Sequence, residues 1–100
     1  MRLEHHPGIA FRDGPSGRRA IVVGGPDVWE VVSAARSASE RGEVLIGALS
    51  KRMGVPKQRI QIAIRYYAEH PAEVDDFITM VEEEGKKLEQ SLERERKLIK

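Results

Sequence analysis

Residues 49–67 read LSKRMGVPKQRIQIAIRYY, and this stretch decides the fold. Leu49 and Met53 stand four apart, so they share one face of a helix. Gly54 follows, a residue that tolerates the positive φ at which helices commonly end. Val55 plugs the turn, and Pro56 suits the first position of a new helix, where its missing N–H would have gone unsatisfied anyway. Ile60 and Ile64 repeat four apart, and Tyr67 extends that inward face. The order is the spacing of a helix-turn-helix, whose turn is short and usually carries Gly. A three-helix core that never touches DNA has the same spacing, so the outward face has to separate the two.

With Ile60, Ile64 and Tyr67 inward, Gln58, Gln61, Ile62 and Arg65 face outward, flanked by Lys57 and Arg59. Gln and Arg pair with adenine and guanine edges, and Lys and Arg neutralise phosphates. Residues 44–68 hold five basic side chains (Lys51, Arg52, Lys57, Arg59, Arg65) and no acidic one, in a chain of net charge +1. That local excess is the electrostatic footprint of a nucleic-acid surface. The expected DNA-binding set is therefore Gln58, Gln61 and Arg65 at base edges, with Lys51, Arg52, Lys57 and Arg59 on phosphates.

Toward the N-terminus, Ile9 to Arg12 alternates, Asp13-Gly14-Pro15-Ser16-Gly17 is dense in turn formers, and RRAIVV over residues 18–23 favours a strand. These features predict a hairpin of 8–12 against 18–23. A lone two-stranded hairpin is marginal in water, so it must pack on the helices or pair with the strands of another subunit. Gly24-Gly25-Pro26 ends the strand, and Asp27-Val-Trp-Glu30 has capping-box spacing with an acidic cap. A first helix is expected over 26–41, with Val28, Val31, Val32 and Ala35 inward, Trp29 beside them as a core or interface anchor, and Gly42 as its stop. The second helix is expected over 43–53, with Leu45, Ile46, Leu49 and Met53 inward and Gly47 closely packed, and the third over 56–70.

His70-Pro71 is a break, and Pro71 can open another helix whose first turns carry Glu73, Asp75 and Asp76 against the positive end of the helix dipole. That helix is expected to run from 71 to near 100. Positions 74, 78, 81, 85, 88, 92, 95 and 99 keep the alternating steps of a heptad seam, interrupted by Gly85 and Glu95. Its first half is built for the domain's own core. Its second half, EEEGKKLEQSLERERKLIK, has too few apolar residues for a core and reads as a helix that takes a partner's groove or pairs with itself. The chain thus divides into a hairpin plus helix-turn-helix unit over 1–82 and a charged helical tail over 83–100. Charge divides with it. Residues 1–70 hold eleven Lys/Arg and seven Asp/Glu, hence +4, and residues 71–100 hold six and nine, hence −3. A basic body with an acidic-leaning tail points to nucleic acid at one and protein at the other.

The expected fold class is mainly α: an N-terminal β-hairpin, a helix-turn-helix core and a long C-terminal helix. One hundred residues allow one domain. With no cysteine, disulfide, zinc-thiolate and cysteine-nucleophile chemistry are excluded, which fits a cytoplasmic protein. No run of 18 apolar residues and no signal-peptide segment is present, so neither a membrane span nor export is expected. His5 and His6 are adjacent on an extended stretch, where side chains diverge, so they make a poor metal pair, and no metal or other cofactor is expected. Catalysis is not expected either: no serine sits in a nucleophile motif, and the histidines have no carboxylate cluster at ligand spacing.

Several segments taken together resemble a known family. His6-Pro7-Gly8-Ile9, Gly17-Arg18-Arg19-Ala20, Val28-Trp29-Glu30-Val31-Val32 and AIRYYAEHPAEVD over 63–75 are similar to a small bacterial domain of originally unknown function, identified as a VapB-type antitoxin and usually encoded beside a PIN-like ribonuclease toxin. The resemblance covers roughly residues 5–80. It implies a homeodomain-like core, a homodimer formed through the N-terminal strands, autoregulatory binding of operator DNA and toxin neutralisation, without catalysis. The family's short Gly-Thr-Arg-type link after the second strand is replaced here by Gly24-Gly25-Pro26-Asp27. The tail beyond about Glu82 has no counterpart in the family pattern.

The tail's role therefore follows from its composition. Leu88, Leu92, Leu98 and Ile99 would lie in an apolar groove on the toxin, and Arg94, Arg96, Lys97 or Lys100 would reach an acidic nuclease site. The expected function is that of an antitoxin in a type II toxin-antitoxin module that also represses its own transcription. A dimeric helix-turn-helix regulator without a toxin, its tail serving the dimer, is the alternative, and an adaptor that never meets DNA is a third reading.

Overall fold

The computed structural model describes residues 6–14 and 17–99. Two strands and four helices follow one another: β1 (Ile9–Gly14), β2 (Gly17–Val22), α1 (Val28–Ser37), α2 (Gly42–Met53), α3 (Lys57–Glu69) and α4 (Pro71–Ile99). The architecture is mainly helical, with the hairpin first and the longest helix last. His5, Pro15, Ser16 and Lys100 lie outside the described residues.

The hairpin is antiparallel, with Ile9 opposite Val22 and Gly14 opposite Gly17, so both strands run closer to the turn than alternation alone indicates. Every second residue of β2 faces the helices, which buries Ala20 and Val22. The ribbon, marginal by itself, is covered by α1 and α3 of its own chain. Gly8, just before β1, has φ +83°, and a Cβ built there would stand 2.9 Å from Ile62 Cδ1 of α3. Only glycine satisfies both the backbone angle and that close approach.

The capping box forms at the start of α1: the Asp27 N–H donates to Glu30 Oε1 at 3.1 Å. Asp27 Oδ2 also accepts from Arg19 Nε at 2.5 Å and Trp29 Nε1 at 3.2 Å, so one carboxylate ties β2 to α1. Val28, Val31 and Val32 are buried, as the stripe requires. The helix stops at Ser37, short of the expected 41. Ala38 is extended and buried, and the Arg41 guanidinium donates to the carbonyls of Ala38 and Glu40 across the link. Gly42 is consequently the first residue of α2, not the stop of α1.

The turn between α2 and α3 has the expected chemistry. Gly54 is left-handed (φ +68°), and its N–H donates to the Ser50 carbonyl. Ser50 Oγ donates to the Val55 carbonyl at 2.5 Å. Pro56 is the residue before the helix rather than its first. Leu49 is fully buried, while Leu45, Ile46 and Met53 are half-buried. Gly47 is in ordinary contact with Lys57 Cε at 3.8 Å, not a tight packing point. On α3 the buried residues are Ile60, Ala63 and Tyr66, with Ile64 and Tyr67 half-buried, so the inward face is turned from the expected Ile60-Ile64-Tyr67 line. Ile62 is corrected as well. It packs beneath Gly8 instead of facing solvent, because β2 and the segment before β1 pack on α3 in addition to α2.

The first turns of α4 close the core with Val74 and Ile78, while Phe77, Met80 and Val81 are half-buried. Arg36 of α1 pairs with Asp75, which also accepts from the Tyr67 hydroxyl at 3.0 Å, so α1, α3 and α4 meet at one carboxylate. From Glu82 to Ile99 every residue is exposed. A radius of gyration of 16.2 Å exceeds the roughly 13 Å of a 100-residue globule, as expected of a helix that leaves the body. Among the described residues, no helix is long and apolar enough to cross a membrane.

Candidate nucleic-acid interface

Helix α3 carries Lys57, Gln58, Gln61 and Arg65 on one exposed face, and α2 adds exposed Lys51 and Arg52. Lys51, Lys57, Gln58, Gln61 and Arg65 make no side-chain hydrogen bond or ion pair with any described residue. At 1.5 Å per residue, Gln58 and Arg65 stand about 10 Å apart along the axis, against a major groove about 12 Å wide. The face can therefore present amide and guanidinium groups over several base pairs.

Two of the expected phosphate ligands are engaged within the fold. Arg52 Nη2 pairs with Glu40 at 3.1 Å. That pair is solvent-exposed and holds the side chain by at most about 1 kcal/mol, so a phosphate can displace the carboxylate. Arg59 is committed more firmly. It is half-buried, and its Nη1 donates to the carbonyls of Gly24 (3.0 Å) and Gly25 (3.4 Å). It closes the turn between β2 and α1 instead of reaching outward. Its sequence position gives no sign of this, because its partners lie 35 and 34 residues away.

The Arg36 guanidinium has its pKa raised, first by the bond with the Tyr67 hydroxyl and then, against slight desolvation, by Asp75. Its charge is therefore constant at any physiological pH. On the tail, Leu88, Leu92, Arg94, Arg96, Leu98 and Ile99 are all exposed on one continuous helix. Arg96 stands 4.0 Å from Glu93, a contact within the helix itself. Nothing described covers the four apolar side chains.

A second cluster was missed by sequence reasoning. His6 and His70 bring their Nε2 atoms to 3.1 Å, and Glu69 Oε1 stands 3.3 Å from His6 Nε2. Tyr66 packs edge-on to His6 with ring centroids 5.1 Å apart, and tilted against His70 at 4.7 Å. The Tyr66 hydroxyl donates to the Glu73 carboxylate at 2.8–2.9 Å. His6, Phe11, Arg18, Tyr66, His70 and Glu73 line an open groove between the hairpin and the α3–α4 junction. The only local signal is that each of these histidines precedes a proline, in His6-Pro7 and His70-Pro71.

Comparison with protein-family models, curated protein sequences and solved structures gives no match to this chain.

Proposed function

We propose that the chain is an antitoxin of a type II module: it represses its own transcription through the helix-turn-helix and neutralises a PIN-like ribonuclease through the tail. The observation that carries the reading is a body-and-tail division within one helix. The packed body offers an uncommitted Gln/Arg/Lys face on α3, and α4 extends from it as a solvated helix with uncovered leucines. Such a helix offers an i, i+4 pair of leucines to a groove on another protein.

On DNA, Gln58, Gln61 and Arg65 read bases, while Lys51, Lys57 and Arg52, released from Glu40, hold phosphates. Three phosphate contacts per protomer, six in the dimer, correspond to a log–log salt slope of about −5. Selection from a random duplex library, followed by binding of the enriched site, tests this half. Arg65→Ala is expected to cost about 1–3 kcal/mol in the specific complex. Binding that is equally tight with Arg65→Ala, or equally tight to every sequence, contradicts it. Co-expression with a PIN-like nuclease encoded beside the chain tests the other half. The full chain restores growth, and a chain ending at residue 82 does not. Rescue by the shortened chain contradicts a tail-borne neutralisation.

The uncovered Leu88 and Leu92 also favour one competing reading, a plain dimeric regulator whose tails pair with each other. Under that reading the shortened chain is monomeric by size exclusion. Under the antitoxin reading, with its dimer made by the N-terminal strands, it remains dimeric.

A further inference from the structure

We propose that His6, Glu69 and His70 form a binding site for a divalent transition-metal ion of borderline softness, with zinc the best fit. Their ligand atoms, two imidazole nitrogens and one carboxylate oxygen, all lie within 4.8 Å of one another. Zinc binds such nitrogen and oxygen donors at about 2.0–2.2 Å, which places neighbouring ligands of a tetrahedral site about 3.3 Å apart. The His6–His70 and His6–Glu69 separations of 3.1 and 3.3 Å match that edge without rearrangement. Glu69 is exposed and at the end of α3, so its side chain is free to adjust the remaining edge.

Hydrogen bonding alone leaves this cluster incompletely satisfied. His6 Nε2 stands within bonding distance of both His70 Nε2 and Glu69 Oε1, yet a neutral imidazole has only one proton or one lone pair to offer there. A cation accepts all three lone pairs at once. The rings are also positioned in advance. The His6 side chain is only 17% exposed, and Tyr66 packs against both imidazoles while its hydroxyl is held by Glu73. Coordination through Nε2 places the imidazole proton of each histidine on Nδ1. A nitrogen-rich set with one carboxylate suits zinc better than calcium or magnesium, which prefer oxygen cages. Three protein ligands leave a fourth position for water, and two of them, His6 and His70, line the groove shared with Phe11 and Arg18.

The consequence is structural and specific. His6 precedes β1, and Glu69 and His70 close α3, so an ion here joins the segment before the hairpin to the junction of α3 and α4. The site does not depend on the antitoxin reading and survives its failure.

The test is calorimetric titration of the untagged full chain with zinc at neutral pH, paired with the visible absorption of the cobalt(II) complex. One ion per chain is expected, with a cobalt band of tetrahedral intensity and a zinc-dependent rise in Tm. His70→Ala and Glu69→Gln are each expected to weaken binding by at least about tenfold, while Glu89→Gln, on the exposed tail, leaves it unchanged. Glu69 is exposed, so its substitution leaves the core untouched and decides the matter even if the histidine variant is poorly folded. Nitrogen-15 correlation of the imidazoles adds a direct readout: zinc must shift both His6 and His70. Absence of zinc heat and of the cobalt band overturns the proposal. Binding that is undiminished in Glu69→Gln and His70→Ala, or lost in Glu89→Gln, also overturns it.

Discussion

Helix α4 contains two different environments on one continuous backbone. Val74 and Ile78, 4% and 1% exposed, seal the body, whereas Leu88 and Leu92 are 61% and 47% exposed on the same seam a few turns later. Leu88 and Leu92 keep the heptad-like spacing past the interruption at Gly85, so periodicity at these positions does not explain their exposure. What differs is the neighbour. The first half meets α1 and α3, while the second has passed the edge of the body and meets water. An amphipathic pattern thus records that a helix has a face to bury. It does not record whether its own chain supplies the cover.

The largest effect expected from this contrast is in the core. Leu49→Ala, at a site with no solvent exposure, should lower unfolding free energy by about 2–5 kcal/mol, whereas Leu92→Ala should stay within about 0.5 kcal/mol. Urea denaturation of the two variants checks the pair, and comparable losses would mean that the tail is packed. The next effect concerns Gly8, where alanine brings both backbone strain and a collision with Ile62. Gly8→Ala should cost on the order of 2 kcal/mol, and a companion Ile62→Val should recover part of it by making room. Independent, additive costs would show that the two do not touch.

Arg59 and Arg65 give a smaller and sharper contrast. Arg59→Ala removes a charged clamp on the Gly24 and Gly25 carbonyls and should cost about 1–2 kcal/mol of stability. Arg65→Ala, an exposed change, should leave stability within about 0.5 kcal/mol and act only on DNA binding. Thermal melts of both, read beside DNA titrations, separate the structural arginine from the one proposed to read bases. Smallest of all is the expected change in the body when 83–100 are removed: helical signal falls, but the urea midpoint shifts little because no apolar side chain of the core loses its cover.

These contrasts also mark what the sequence made legible. The Gly54 turn, the Asp27–Glu30 capping box and the hairpin depend on residues a few positions apart, so local chemistry identified them. The phase of α3 was read one step off. Ile62 is apolar for a reason that lies at Gly8, far off in the chain, and the pattern of a single helix cannot show that a hairpin lies against its second side. The expectation that the first helix reaches Arg41 rests on glycine marking helix ends at Gly42, whereas the buried, extended Ala38 is what ends α1. The exposed polar face of α3 was legible apart from Arg59, whose partners are carbonyl oxygens and carry no sequence signature. The His6–Glu69–His70 cluster was hidden for the same reason. Its two histidines are 64 residues apart, and only the packing of the segment before β1 onto the α3–α4 junction joins them.

The contrast within α4 is tested most directly by amide hydrogen exchange of the full chain, resolved along that one helix. Amides of residues 74–81 should exchange only through global unfolding, and those of 83–99 orders of magnitude faster through local fraying. Uniform slow exchange to residue 99 would contradict the account, because it would mean that the tail is already buried against another surface.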